Sequence, residues 1–438
     1  MSENKKIQTS VMPGFMELLP ADQILFDDIK SKIEKVYQEF GFIPVDTPVI
    51  ERSEVLLAKA GGETEKQIYR FTKGENDLSL RFDLTVPLAR YIAEHHRELV
   101  FPFRRYHIGK VYRGESPQKG RFREFYQCDV DIIGKGKLSL VNDAEIISII
   151  YTVFSGLNFG DFTIRINNRK LLTGLLESLG VDNLSKEILR EIDKIEKIEK
   201  DELQKNLMEV GVPESTVPKI LQFAEIKGGT SDVLQSLNLL GIKNAIFEEG
   251  LEELKEVVEY VKQLQVPDKF VSVDLSIARG LDYYTGTVYE TILNDHSDFG
   301  SVCGGGRYDN LTGNYMDEKF PGVGVAIGLT RLFSQLKNAG LIKGEVSTRT
   351  KVLIVPLVKD FSIPLQIDDM LRGKGIPVEV YFEETKMKDK LSYANKLGIP
   401  YVVIVGEDEI SKELYTLKNM KTGDEVSLPI DQIVENIK

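Results

Sequence analysis

Between Phe103 and Arg123 the chain carries seven Lys or Arg and one acid, Glu115, whereas its 438 residues as a whole have a formal net charge of −12. Arginine offers a rigid fork of donors matched to phosphate oxygens, so this local excess points to bound phosphate. An exposed, solvated hairpin with a chance excess of charge is the alternative. Arg331 is a second cation of interest. It falls in the first turn of a helix expected to start near Gly328, where the helix dipole disfavours a cation and an anionic ligand would offset the cost. An arginine directed into solvent would need no ligand. Gly304, Gly305 and Gly306 are consecutive, which either lets backbone approach a ligand closely or makes a bulge. The four histidines, His95, His96, His107 and His296, show no triad or metal spacing. No histidine general base is expected, and His107 reads as structural. Cys128 and Cys303 have no metal-ligand spacing either, so neither a zinc site nor a disulfide framework is expected.

The elements that must position these residues follow from hydrophobic periodicity. Residues 103–131 alternate with a period of two, with Arg105, His107, Gly109 and Val111 on one side. Pro117 and two glycines force residues 114–120 out of the sheet. Two antiparallel strands joined by a long loop result. Upstream, residues 21–40 read as a helix with Leu25, Ile29, Ile33 and Val36 on one face, ended by Gly41. Residues 42–50 read as extended, confined by Pro44 and Pro48 to an edge or an irregular strand. Residues 68–82 form a hairpin turning at 74–77. It delivers Arg81, Asp83 and Thr85 to the mouth of a helix over 84–93, which Asp83 and Thr85 could simply cap. Residues 139–157 read as helix and 162–167 as strand.

A chain of this length implies two to four domains. Residues 181–265 change in character, with charged helical periodicity and glycine at the joins, and read as a mostly helical insertion whose charges are solvated faces. Strands follow at 270–275 and 283–293, then a strand and helix over 320–332. Residues 341–350 are a polar hinge. Beyond it, apolar runs at 352–357, 378–382 and 401–405 alternate with helical patterns, which fits parallel strands in a small α/β domain. No apolar run reaches the ~18 residues that span a bilayer. Few cysteines and no apolar leader segment imply a cytoplasmic protein. Overall acidity argues against a nonspecific nucleic-acid coat but leaves room for a local basic face.

The segment YRGESPQKGRFREFYQCDVDIIG resembles motif 2 of class II aminoacyl-tRNA synthetases, in the version seen in histidyl-tRNA synthetases. FPGVGVAIGLTRL is similar to motif 3, and the helix and Pro-bearing strand over 21–50 to motif 1. RGLDYYTGTVYE and GGGRYD narrow the resemblance to the histidyl enzymes, and it extends over essentially the whole chain. It implies an α+β fold: a class II antiparallel-sheet catalytic domain over 1–340 holding the helical insertion, a linker over 341–350, and a C-terminal α/β anticodon-binding domain over 351–438. The tail carries no Gly-rich phosphate loop. Motif 1 forms the dimer interface in that family, which implies a homodimer; a helix packed on its own sheet would have the same periodicity. One departure is Thr330, where many bacterial members carry an acid. Another is Asp83, where many carry Glu.

The implied activity is that of a histidine–tRNA ligase with histidine, ATP and tRNA-His as partners. The amino-acid carboxylate attacks the α-phosphate of ATP, and the terminal ribose of tRNA then attacks the adenylate. Two anions meet in the first step, so donors must stand ready as charge develops. By resemblance, Arg113 and Arg279 flank the α-phosphate, Arg331 lies along the γ-phosphate, and Glu115 accepts from the adenine amino group. Magnesium is expected to bridge the outer phosphates, bound mainly through ATP. Asp83 and Thr85 lie by the substrate amino group. An imidazole needs a partner at each ring nitrogen; Asp131 and Tyr284 are the candidates, with Gln127 and Tyr283 beside them. Tyr308 is expected to close the substrate pocket. Residues 118–121, with Gln118 and Arg121, are the expected contact for the tRNA acceptor end. The alternative is a non-catalytic, histidine-sensing paralogue, the regulatory subunit of ATP phosphoribosyltransferase.

Overall fold

The computed structural model describes residues 7–58, 62–116, 120–192, 194–195, 198–277 and 283–437. The chain divides into one unit containing Lys30–Leu341 and a second containing Glu17–Ile29 and the chain from Ile342 onward. The first unit carries strands β1 (Ile43–Pro44), β2 (Ile50–Arg52), β3 (Arg70–Lys73), β4 (Asn76–Leu80), β5 (Phe103–Tyr112), β6 (Glu124–Ile133), β7 (Phe162–Asn168), β8 (Val271–Val273), β9 (Thr287–Leu293), β10 (Cys303–Tyr308) and β11 (Gly322–Ile327). Among the described residues, eight of them form one sheet in the order β1-β5-β6-β11-β10-β9-β7-β8, and β2-β4-β3 form a small second sheet. The interior pairings of the large sheet are antiparallel, and only β1 and β8 join its edges in parallel.

The alternation over 103–131 becomes β5 and β6, with Arg105 opposite Asp131 and His107 opposite Asp129. The intervening loop is anchored: Arg113 N donates to Arg123 O at 2.9 Å, and Arg123 N donates to Gly14 O at 2.7 Å. The irregular lead-in around Gly14 therefore has a structural use. The expected extended stretch over 42–50 is shared between two sheets, Ile43 and Pro44 pairing with β5 and Ile50 with β4. The proline-limited segment is too short to complete a strand in either. The strand expected over 283–293 starts only at Thr287, because Thr285 N donates to Arg307 O and Gly286 O accepts from Arg169 N outside the pairing of β9 with β7.

The glycine triplet lies inside β10 in regular register, so it serves close approach rather than a bulge. Side chains on Gly305, Gly306 and Gly324 would collide with the Gly324 carbonyl, the Thr287 carbonyl and the Asp131 carboxylate respectively. Arg307 of the same strand has a different task. It pairs with Asp143, Nη2 to Oδ2 at 2.5 Å, and donates to the carbonyls of Leu138 and Ser139. That contact pins the start of the helix Val141–Leu157, which explains why it begins two residues later than its periodicity suggests.

Helices Ser185–Ile192, Lys200–Glu209, Val217–Ala224, Thr230–Leu239 and Ala245–Gln263 lie between β7 and β8 in the chain. Each buries one apolar stripe, for example Leu203 with Leu207 and Ile220 with Leu221. Charges lie mainly on the outer faces, but Glu191 is buried and pairs with Lys194 at 2.6 Å.

The second unit holds strands β12 (Val352–Pro356), β13 (Val378–Val380), β14 (Tyr401–Val405), β15 (Tyr415–Asn419) and β16 (Glu425–Leu428), in the order β13-β12-β14-β15-β16. Val352, Ile354, Val403 and Val405 pack on Ile367 and Leu371. The alternate residues Leu353, Val355, Val402 and Ile404 pack on Ala394 and Ile399. Covering both faces requires unbroken apolar strands. The antiparallel pair β15 and β16 was not foreseen: polar residues such as half-buried Lys418 and exposed Glu425 leave no apolar run to read.

Asp143 is fully buried against Arg307. Replacing it with Ala strands a buried guanidinium, so Asp143→Ala is expected to cost about 3–5 kcal/mol. Urea unfolding followed by circular dichroism checks this; an unchanged midpoint would contradict the assignment.

Candidate active site

Two cavities open on the same face of the large sheet, one of about 330 Å³ and one of about 240 Å³. They share Arg113, Gln127, Gly304 and Ala326. Gly304 and Ala326 are the small floor between them. The larger cavity adds Gln67, Glu115, Arg121, Phe125 and Arg331, and the smaller adds Asp83, Thr85, Asp129, Tyr283, Tyr284, Tyr289 and Glu290.

Arg113 stands at the junction, just past the end of β5. Its guanidinium lies 4.4 Å from the Phe82 ring centroid and 5.0 Å from that of Phe125, and its Nε donates to Phe82 O at 3.2 Å. Two rings and a carbonyl hold a planar cation at one angle, which is the fixed geometry phosphate recognition needs. Burial lowers its pKa, opposed by the nearby Asp83 and Glu115 carboxylates. Arg331, in the first turn of the helix Leu329–Asn338, donates from Nη2 to Phe299 O at 2.6 Å. Thr330 beside it accepts from Tyr126 N at 2.8 Å and ties that helix start to β6. The hydroxyl thus has a structural use at this position. Glu115 lies 3.4 Å from Arg121, and Arg123 Nε donates to the Glu115 carbonyl at 3.1 Å.

In the smaller cavity Asp83 caps the helix Thr85–His95, its Oδ1 accepting from Val86 N at 3.0 Å, and still lines the cavity. Burial raises its pKa, opposed by Val86 N–H and Arg113. The Tyr283 hydroxyl bonds the Thr85 side chain, and burial pushes that phenol up strongly. Tyr284 packs edge-on against Tyr283 with ring centroids 4.9 Å apart. Asp131 does not line the cavity. Its Oδ1 accepts from the Tyr308 hydroxyl at 2.7 Å and its Oδ2 lies 2.7 Å from Arg105. Tyr308 is likewise inside the core rather than at the cavity wall. Burial raises the Asp131 pKa, with Arg105 opposing.

The structure thus brings Arg113, Glu115, Arg121, Gln127 and Arg331 around one space, and Asp83, Thr85, Arg113, Gln127, Tyr283 and Tyr284 around the other. Gln118 and Arg279 lie outside the described residues. Asp129, Tyr289, Glu290 and Gln67 were missed. The signal for Asp129 was present, since a period of two puts Gln127, Asp129 and Asp131 on one face of β6. Nothing local marks Gln67 or Glu290. A single glutamate among the arginines of the larger cavity suits bound phosphates better than a protein-held metal. Among the described residues, no group of three or more His, Cys, Asp or Glu is placed to hold an ion.

The family model described as Histidyl-tRNA synthetase matches residues 14–332, and that described as Anticodon binding domain matches residues 351–438. The chain is 56% identical over 433 residues to a histidine–tRNA ligase of Clostridium tetani, covering 99% of this chain and 98% of that one. It is similar to the crystal structure of histidyl-tRNA synthetase from Nostoc sp. PCC 7120, with a TM-score of 0.89 and 41% identity over 99% of each chain. A Bacillus halodurans structure described as an ATP phosphoribosyltransferase regulatory subunit/histidyl-tRNA synthetase shares the fold, at TM-score 0.75 and 18% identity over 92% of this chain and 99% of that one.

His107 is 3% exposed, and its Nε2 lies 2.8 Å from Asp46 Oδ1. Burial, then Arg105 and Arg81, push its pKa from 6.5 to about 3, against the pull of Asp46. The unfolded chain therefore binds a proton below pH ~6.5 that the folded chain refuses until about pH 3. This contribution to stability is lost as pH falls through that window, by up to about 1.4 kcal/mol per unit. The buried carboxyls, with raised pKa values, act with the opposite sign, so the comparison is with His107→Gln. Unfolding free energies from pH 7 to 4.5 should fall more steeply in the wild type than in the variant; parallel curves would contradict this.

Proposed function

The chain belongs to the histidyl-tRNA synthetase family, and from that premise we infer how its two cavities divide the work of charging tRNA with histidine. The activity is histidine–tRNA ligation: histidine and ATP give histidyl-adenylate and pyrophosphate, and histidine then passes to the 3′ end of tRNA-His. The sensing paralogue is not favoured, because the full-length relatives are ligases.

The larger cavity takes ATP. Arg113 faces the α-phosphate, Arg331 the γ-phosphate, and Glu115 the adenine amino group. The smaller cavity takes histidine, with its ammonium on Asp83 and Thr85, its carboxylate towards Arg113, and its ring towards the Tyr284 end. Gln127 and Tyr283 border it, while Asp131 and Tyr308 support it from below. The observation that carries this reading is the shared wall. Attack of a carboxylate on a phosphorus requires the two substrates to meet, and Arg113 stands where they would, already fixed between Phe82 and Phe125. A preset cation there offsets charge as it develops, with no reorganisation. Arg279 is proposed to flank the same phosphorus from the other side. Magnesium would bridge the outer phosphates and draw off their charge, with no cage of protein ligands. Gln118 and Arg121 are proposed to meet the acceptor end of tRNA, positioning its backbone without reading sequence.

Residues 1–340 are proposed as the catalytic domain with its insertion over 181–265, 341–350 as linker and 351–438 as the anticodon-binding domain. A homodimer is proposed through the motif 1 region, where Ile43 on the edge strand β1 and Ile50 on the edge strand β2 are exposed apolar residues. A cytoplasmic location is proposed as well. Among the described residues no helix is long and apolar enough to cross a membrane.

Exchange of labelled pyrophosphate into ATP tests the assignment. It should depend on histidine and on no other amino acid. Arg279→Ala should leave the fold intact and lower the exchange rate by roughly 10²–10³, the size expected for losing one transition-state donor. A near-normal rate would remove Arg279 from the mechanism.

A further inference from the structure

We propose that Gln335 and Gly300 are positioning residues that aim Arg331 at the last phosphate of ATP, and that they set how well the site tells ATP from ADP. The proposal rests on the reading of the larger cavity as the ATP site, with Arg331 along the γ-phosphate. It begins with one backbone carbonyl. Phe299 O accepts from Arg331 Nη2 at 2.6 Å and from Gln335 Nε2 at 3.0 Å. The two donors stand four residues apart, on one face of the helix Leu329–Asn338. A carbonyl has two lone pairs and can hold both. Arg331 lines the larger cavity, and Gln335 does not. A long arginine side chain loses much rotamer freedom on being fixed. The shared carbonyl does that fixing before a nucleotide arrives.

The carbonyl is itself held in place. The turn Asn294–Phe299 joins β9 to β10. At its start Asn294 N donates to Asp161 O at 2.8 Å, and the Asn294 side chain accepts from Thr163 Oγ1 at 2.8 Å. Beyond its end Val302 N donates to Thr291 O at 2.9 Å and returns the chain to the sheet. Between these anchors, Gly300 sets the direction of the Phe299 carbonyl, with φ +66° and ψ −159°. Essentially only glycine occupies that region. A Cβ on Gly300 would also stand 3.2 Å from Arg331 Nη2 and press on the guanidinium. Gly300 is therefore required twice, for the turn and for the room beside Arg331.

Gln335 has the marks of a residue kept for position. Its Oε1 is buried and has no hydrogen-bond partner. Such a group costs stability, and an apolar side chain of the same length would avoid the cost. What glutamine supplies in return is the second donor to Phe299 O. Without it the carbonyl and the guanidinium can shift together. A γ-phosphate gains less from a cation whose place is not fixed in advance.

Calorimetry with ATP, ADP and histidine, magnesium present, tests this in the full-length protein. ATP and ADP differ only in the phosphate that Arg331 faces. Arg331→Ala should lower the ratio of ATP to ADP affinity by ~10-fold or more, the size of a hydrogen bond to a charged group. Gln335→Met should lower the same ratio by ~3–10-fold, as for one neutral hydrogen bond, with ADP and histidine affinity unchanged. In the Arg331→Ala background Gln335→Met should change the ratio no further, since it acts through Arg331. Gly300→Ala should lower the ratio too. Gln335→Met, which puts no strain on the backbone, carries the test where the glycine variant does not fold. An equal loss for all three ligands in Gln335→Met would mark a structural role and overturn the proposal. An unchanged ratio, or a further fall in the Arg331→Ala background, would overturn it as well. An Arg331→Ala protein that keeps the full ratio would instead overturn the assignment of Arg331 to the γ-phosphate.

Discussion

Arg105 has no exposed surface and sits under the site, and most of the surrounding geometry depends on where its charge is neutralised. It reaches across from β5 to Asp131 on β6, and its Nη2 also donates to Leu84 O at 3.2 Å, at the mouth of the helix that Asp83 caps. Asp131 in turn fixes the Tyr308 hydroxyl. One guanidinium therefore ties together β6, the loop that carries Asp83 and the strand that contains the glycine triplet. Its Nε and Nη1 have no partner. An apolar core of the same shape would be at least as stable as a buried ion pair of this kind. Its presence is better explained by the positions it enforces than by stability.

The same constraint shapes the electrostatics above it. Asp83, Asp129 and Asp131 are all buried, and burial raises the pKa of each, while Arg105 opposes the rise at all three. Arg113 adds a second cation beside Asp83 and Asp129, and is itself lowered by burial. A zwitterionic substrate suits such a pocket, with an ammonium for the carboxylates and a carboxylate for Arg113. Because these groups are set before substrate arrives, the cost of orienting them falls on folding and not on the reaction.

The sequence made the hairpin legible because strands β5 and β6 alternate cleanly and because arginines gather there against the acidity of the chain as a whole. The terminal apolar runs at 352–357 and 401–405 were legible for the related reason that strands buried on both faces cannot hide polar residues. What escaped was set by tertiary contacts. The late start of the helix Val141–Leu157 comes from Arg307, more than 160 residues away in the chain. The separation of Asp129 from Asp131 depends on which carboxylate finds Arg105 and Tyr308, and two acids with the same spacing and face cannot be told apart by pattern. Gln67, at the end of the helix Gly62–Gln67, and Glu290, on β9, enter the cavities only because the tertiary fold brings them there.

The claim that the Arg105–Asp131 pair is kept for position and not for stability is tested most directly by a double-mutant cycle. Stability and histidine-dependent pyrophosphate exchange would be measured for Arg105→Met, Asp131→Leu and the double variant. Each single change should cost about 3–5 kcal/mol by leaving an uncompensated buried charge, and the double variant should recover most of that. Exchange should stay lost in all three. A double variant that regained exchange together with stability, or single variants with no loss of stability, would contradict the account.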